Sequence, residues 1–195
     1  MRLNNRTAIV TGSGNGIGRA TAILFAKEGA NVIVAEIEED TGNETVEMIK
    51  SDGGEATYIN VDTSKIDSVE RMVSNSVEKY GDINILVNNA AAFVFGNIEH
   101  VTQDDWGKVL GVNVIGYANC VQKSLESLKK NSDSSIINIA SVSSFIAQPD
   151  FVPYNTSKGA VIQLSKCLAM DLSKYNIRVN SICPGSIRTR ASDQQ

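Results

Sequence analysis

Short runs of β-branched and aliphatic residues alternate along this chain with longer stretches in which apolar positions recur every three or four residues. The runs "TAIVT" (7–11), "NVIVAE" (31–36), "ATYINV" (56–61), "INILVN" (83–88), "SIINIAS" (135–141) and "IRVNSI" (177–182) predict strands. Between them the pattern predicts helices near 16–28, 40–51, 66–80, 103–130 and 153–174. Gly29 stands where the first helix should end, and Gly81 follows Lys79 where the third should end, as helix C-termini favour. Such alternation predicts a doubly wound α/β domain, a parallel sheet with helices on both faces. No repeat, low-complexity segment or Pro/Gly-rich linker divides residues 1–195, so a single domain is expected.

Composition narrows the function classes. A chain of 195 residues, 42% hydrophobic and 21% charged, can bury a substantial core. A net charge of −4 without basic clusters argues against nucleic acid and anionic membranes as main partners. The start "MRLNNRTAIVTG" holds no apolar run of signal-peptide length, and no later stretch would span a bilayer. Cys120, Cys167 and Cys183 are odd in number and far apart, which reads as reduced thiols in a cytoplasmic setting. His100 is the only histidine, so neither a His-rich metal site nor a Ser-His-Asp triad is expected. Acid–base chemistry must use other side chains.

The first strand runs into the turn Gly12-Ser13-Gly14-Asn15-Gly16-Ile17-Gly18, which opens the first helix. Glycines there permit a tight turn and let a phosphate approach the amides, and the helix N-terminus then faces that phosphate. Position after strand one favours this dinucleotide reading over a merely flexible loop. Glu36 ends strand two, where a carboxylate can accept both hydroxyls of an adenosine ribose and repel a 2′-phosphate. Asn15 brings no positive charge to the turn, so both observations favour NAD over NADP. Glu36 could alternatively belong to an acidic helix start with Glu38, Glu39 and Asp40.

Tyr154 and Lys158 in "VPYNTSKGA" are four positions apart, so a helix would place them on one face. Taken alone, that spacing is weak evidence. In combination, however, the chain resembles the short-chain dehydrogenase/reductase family, in the branch whose glycine turn reads TGxxxGIG. The resemblance runs in family order through "NVD" (60–62), "NNAA" (88–91), Asn113 in "GVNVIG", Ser141 in "INIAS", "YNTSK" (154–158) and "CPGSIRT" (183–189). Ala91 stands where the family usually has glycine.

The resemblance implies a Rossmann fold, an NAD(H)-dependent enzyme acting on a small-molecule alcohol or ketone, and roles residue by residue. Asp62 would hold the adenine, Asn89 and Ala90 would line the ribose, and Pro184, Gly185, Ile187 and Thr189 would lie along the nicotinamide end. Asp62 could instead cap the following helix, Asn88 and Asn89 could be turn formers, and Asn113 could be a buried, satisfied amide. On the family reading Asn88 ties neighbouring strands together and Asn113 holds a water that passes protons to Lys158. Ser141 would hydrogen-bond the substrate oxygen. Tyr154 would move the alcohol proton, and Lys158 would bond the nicotinamide ribose and lower the phenol's pKa. A free tyrosine titrates near 10, so bringing it to neutral pH takes about 4 kcal/mol, which two close cations could supply.

Trp106, Leu110 and Tyr117 read as core or interface, without chemistry. The segments "AAAFVFGN" and "FIAQPDF" would line the substrate pocket, and their apolar character hints at a cyclic or hydrophobic alcohol. Family members usually pair their two long helices across a two-fold axis, which implies a dimer here, or a tetramer in a longer chain. They also continue well beyond the Pro-Gly pair, adding a lid and a seventh strand. "SIRTRASDQQ" is too short for either, so a longer parent protein is expected. A second reading is therefore a non-catalytic dinucleotide-binding protein or subunit lacking a complete substrate pocket.

Overall fold

The computed structural model describes residues 1–189. Its strands are β1 (Thr7–Thr11), β2 (Asn31–Glu36), β3 (Glu55–Asn60), β4 (Ile83–Asn88), β5 (Ser135–Ile139) and β6 (Arg178–Ile182). They form one sheet in the order β3-β2-β1-β4-β5-β6, and every pairing is parallel. The order reverses between β1 and β4. Adjacent crossovers there depart to opposite faces, so their loops part and leave a crevice at the carboxyl edge.

Helices α1 (Gly16–Lys27) and α2 (Glu39–Ser51) cover one face, and α3 (Ile66–Tyr80) and α5 (Gly116–Leu128) the other. The period-two alternation of a strand decides which residue meets which layer. In β1, Ala8 and Val10 pack with Ala22, Ala26, Val46 and Ile49, whereas Ile9 packs with Val69, Met72 and Leu128. Both layers are apolar, which is why these strands read as unbroken hydrophobic runs. The helix α6 (Val152–Leu172) follows β5 and joins the second layer through Leu172.

The long helix expected over 103–130 is three pieces: α4 (Gln103–Leu110), a π-helical turn (Gly111–Ile115), then α5. Thr102 starts it with a capping box, accepting from the Asp105 N–H while its own N–H donates to the Asp105 carboxylate. The π turn is centred on Asn113, whose side chain binds backbone outside the helix. A Cβ at Gly116 would stand 2.8 Å from Thr63 Oγ1, so this helix can lie close only with glycine there. Strand β5 also stops at Ile139 instead of running to 141. Beyond it the Ala140 N–H donates to the Ile182 carbonyl (2.8 Å) and the Val142 N–H to the Pro184 carbonyl (3.0 Å). That pairing brings the Pro-Gly segment beside Ser141. Gly81 closes α3 with φ 78 as expected, and Gly29 follows α1 with φ 93.

Beneath the crevice, Asn88 and Asn138 sit opposite each other on β4 and β5. The Asn88 Nδ2 donates to Asn138 Oδ1 (2.8 Å), and Asn138 Nδ2 donates to Ser165 Oγ (2.9 Å) on α6. These buried amides tie the two strands and α6 together. Among the described residues no helix is long and apolar enough to cross a membrane.

Candidate active site

At the turn after β1, Gly12 and Gly16 take left-handed backbone angles (φ 63 and 53). A Cβ on Gly12 would stand 2.7 Å from Ala90 Cα, and one on Gly18 would collide with the Gly12 carbonyl oxygen. Helix α1 starts with no acidic residue in its first turn and no side-chain cap from Asn15. Its leading N–H groups are therefore available to an anion.

The acid at the end of β2 closes over this turn. Glu36 Oε2 accepts from the Gly14 N–H (2.9 Å), and Oε1 accepts from the Ile37 N–H (2.8 Å). Those bonds fix the carboxylate against the cleft while leaving lone pairs for hydroxyl donors. Arg19 is the nearby base, but its Nε donates to the Gly14 carbonyl (2.7 Å) and its guanidinium pairs with Glu44 (2.6 Å). After β3, Asp62 Oδ1 accepts from the Ser64 N–H (3.0 Å) and hydroxyl (2.6 Å). It thus stabilises the turn before α3 and also faces the cleft. Asn89 Nδ2 donates to the carbonyls of Thr11 and Gly12 (both 2.9 Å), pinning the glycine turn to the end of β4.

A cleft of about 600 Å³ runs along this edge, walled by Gly12, Asn15, Gly16, Ile17, Glu36, Asp62, Asn89, Ala90 and Thr189. Ser13, Gly14 and Gly18 shape the turn without lining it. Ser13 faces inward, its Oγ donating to the Val10 carbonyl (2.7 Å). Lys108 lines the cleft from α4. The local sequence does not mark it, because only the packing of α4 brings it there.

Ile17, Asn89, Ala91, Phe93 and Thr189 are shared with an adjoining chamber of about 280 Å³. Ser141, Tyr154, Lys158, Pro184, Gly185 and Ile187 meet there. Tyr154 and Lys158 occupy the first turns of α6, which begins with Pro153 fixing its entry. Phe93 stacks on the Tyr154 ring (centroids 5.5 Å, planes 20° apart), and Phe95 lies 5.5 Å from it.

Lys158 is 2% exposed, and its Nζ donates to the Ile139 carbonyl (2.8 Å). Burial lowers its pKa to about 8, opposed by the neighbouring Cys183. The same Nζ lies 5.9 Å from the Tyr154 ring centre and 5.5 Å from that of Tyr117. For Tyr154, burial raises the phenol above its ordinary value, and hydrogen bonding with Ser141 opposes the rise. The lowering expected of the phenol needs two cations, Lys158 and the oxidised nicotinamide; with Lys158 alone beside it, burial sets the direction.

Tyr117 is a core residue, as expected, packed with Ala140 and Val161. Beyond packing, its hydroxyl donates to the Ile139 carbonyl (3.1 Å) that also receives Lys158, so it belongs to the setting of the ammonium. The available signal was its place one helical turn after Asn113, on the same face. Asn113 itself is fully buried and lines neither cavity. Its Oδ1 accepts from the Ala92 N–H (2.7 Å), and its Nδ2 donates to the Ala92 carbonyl and Ser157 Oγ (both 3.0 Å). It joins the loop after β4 to the turn of α6 that carries Lys158.

A parallel switch-point crevice that joins a glycine turn to a serine, tyrosine and buried lysine defines a dinucleotide-dependent class of fold and site. The chain belongs to the short chain dehydrogenase family, whose profile it matches over residues 6–195, and it is an oxidoreductase of that family. An uncharacterized oxidoreductase of Thermotoga maritima is 40% identical over 97% of this chain and 74% of its own length. Glucose 1-dehydrogenase 2 of Bacillus subtilis is 36% identical over 97% and 75%. A short chain dehydrogenase/reductase of Burkholderia phymatum, solved in complex with NAD, superposes with a TM-score of 0.95. It is 30% identical, and the match covers 99% of this chain and 70% of that one.

Proposed function

We propose that this chain is an NAD(H)-dependent oxidoreductase that interconverts a secondary alcohol and a ketone, with Tyr154 as acid and base. The observation that carries this reading is the convergence of Ser141, Tyr154 and Lys158 on one chamber that opens onto the glycine-turn cleft. The cleft fits a dinucleotide on its own evidence: the helix start lacks acids, the turn excludes Cβ atoms, and Glu36 is held facing the cleft. The structural neighbour solved with NAD supports the choice of cofactor.

When bound, NAD accepts the hydride and NADH returns it. The protein's part is position and proton traffic. Ser141 holds the substrate oxygen by hydrogen bonding, close enough to Tyr154 that the two already interact. Tyr154 takes the hydroxyl proton in oxidation and gives it back in reduction. Lys158, held by Ile139 and faced by Tyr117, keeps positive charge beside the phenol and would bond the nicotinamide ribose of a bound cofactor. Tyr154, whose neutral phenol burial favours, would ionise more readily beside the positive nicotinamide of a bound oxidised cofactor. Asn113 positions Ser157, and through it the helix turn bearing Lys158.

The test is turnover. Purified protein should oxidise or reduce members of an alcohol and ketone panel with NAD(H), and Tyr154→Phe should cut the chemical step by about 10²–10⁴. NAD affinity, measured by calorimetry, should change little in that variant. Near-normal turnover by the phenylalanine variant would remove Tyr154 from its role.

A further inference from the structure

The chamber beside Tyr154 has one wall of rings and one of polar groups. Phe93 and Phe95 flank Tyr154, and Phe151 packs on Phe95 with centroids 4.6 Å apart. Facing the same space are Ser141 and Gln148. The amide of Gln148 has only one consistent orientation. The Ile146 carbonyl can only accept, so the nitrogen of Asn155 must face it, at 3.1 Å. The second hydrogen of that nitrogen needs an acceptor, and Gln148 Oε1 supplies it at 3.2 Å. Ser143 Oγ donates to the same oxygen at 3.1 Å. Gln148 Oε1 thus holds two donors, and its amide nitrogen is turned away from them. Among the described residues, no acceptor is hydrogen-bonded to that nitrogen.

The backbone around Gln148 is held as well. Gly96 pairs with Phe151 in an isolated bridge, its N–H donating to the Asp150 carbonyl (2.5 Å) and its carbonyl accepting from the Val152 N–H (3.2 Å). The loop that carries Phe95 and the one that carries Gln148 are therefore joined across the chamber mouth. A half-buried amide on a joined loop, with its acceptor filled and its donors free, selects for a ligand oxygen.

We infer that Gln148 is a specificity-determining residue: its N–H donates to a second oxygen of the substrate, which has a cyclic hydrocarbon body lying against Phe93 and Phe95. The substrate class is then a cyclic alcohol or ketone with an additional hydroxyl, carbonyl or ether oxygen. This assignment rests on the proposed oxidoreductase function of the same site.

A matched pair of ketones isolates the second oxygen. In 2-methoxycyclohexanone an ether oxygen stands where 2-ethylcyclohexanone has a methylene, and shape is otherwise nearly equal. Gln148→Glu is the deciding variant, because a carboxylate still accepts from Asn155 and Ser143 while the free donor is lost, and the negative charge it adds acts on Tyr154 alike with either ketone. In the unmutated protein with NADH, kcat/KM should favour the methoxy ketone. In Gln148→Glu that ratio should fall by about tenfold, the worth of one hydrogen bond. The intrinsic reactivity of each ketone cancels when the two proteins' ratios are compared. Binding is followed in parallel by saturation-transfer NMR with NADH present. An unchanged ratio of rates in a protein that reduces both ketones overturns the role of Gln148 and leaves the oxidoreductase reading standing. A binding preference lost in Gln148→Glu, without reduction of either ketone, supports Gln148 and overturns the proposed alcohol–ketone chemistry for this substrate class. Absence of any binding preference in the unmutated protein overturns the inference directly.

Discussion

At the β1–β3 end of the crevice, polar side chains are held by backbone. Glu36 accepts from the Gly14 and Ile37 N–H groups, Asn89 donates to Thr11 and Gly12, and Asp62 accepts from Ser64. At the β5–α6 end, a buried ammonium rests on a single carbonyl, with rings on two sides. The first end is a rigid cradle, in which glycine conformation and short hydrogen bonds fix the shape before any ligand arrives. The second is an electrostatic device whose groups are displaced from their ordinary pKa values by burial. On the proposed function, binding and chemistry would therefore depend on different physical quantities in the same crevice: close steric fit at one end, desolvation at the other.

Substitutions can separate the two. The largest effect is expected at Gly18, where a Cβ would collide with the Gly12 carbonyl oxygen and stand 2.5 Å from Asn89 Nδ2. Gly18→Ala should lose about 1–3 kcal/mol of stability in urea titrations, with NAD affinity falling at least about tenfold. Gly107, in α4, has nothing within 4 Å of its would-be Cβ. Alanine there should stabilise by about 0.5–1 kcal/mol. Equal behaviour of the two variants would mean that the turn is not sterically fixed.

Cofactor choice comes next. With Glu36 facing the cleft and Arg19 engaged by Glu44, NAD should bind at least about tenfold more tightly than NADP, or about 1.4 kcal/mol. Glu36→Ala should shrink that margin. Calorimetry finding equal affinities in the unmutated protein would break the assignment.

The smallest effect probes the electrostatic end. Lys158 titrates at about 8 in the folded protein, against an ordinary 10.5. Between those values the unfolded chain binds more protons, so this group makes stability rise with pH. Cys120, raised by burial from 9.0 to about 12, acts in the opposite direction once pH exceeds 9. The window for Lys158 is therefore pH 8 to 9. Across it, the unmutated protein should gain about 1 kcal/mol relative to Lys158→Met, a comparison in which Cys120 cancels. A flat difference would show that the lysine is not desolvated.

The sequence by itself determined the layered fold. Unbroken apolar strands between amphipathic helices admit few other packings, and β1, β2 and β4 begin and end at the expected residues. The glycine turn was legible for the same local reason, since its steric demands fall within a few neighbouring positions. Only the tertiary structure decided matters that depend on distant groups. The π turn at Asn113 arises because its side chain binds Ala92, twenty-one positions away. Tyr117 joins Lys158 through a carbonyl of another element, and Gln148 acquires its orientation from Ile146 and Asn155 together. Whether burial or a neighbouring charge governs Tyr154 likewise depends on how much water the packed rings exclude. Periodicity and turn chemistry are written in adjacent residues. Desolvation and hydrogen-bond direction are set by the whole surroundings of an atom, and no short stretch of sequence contains them.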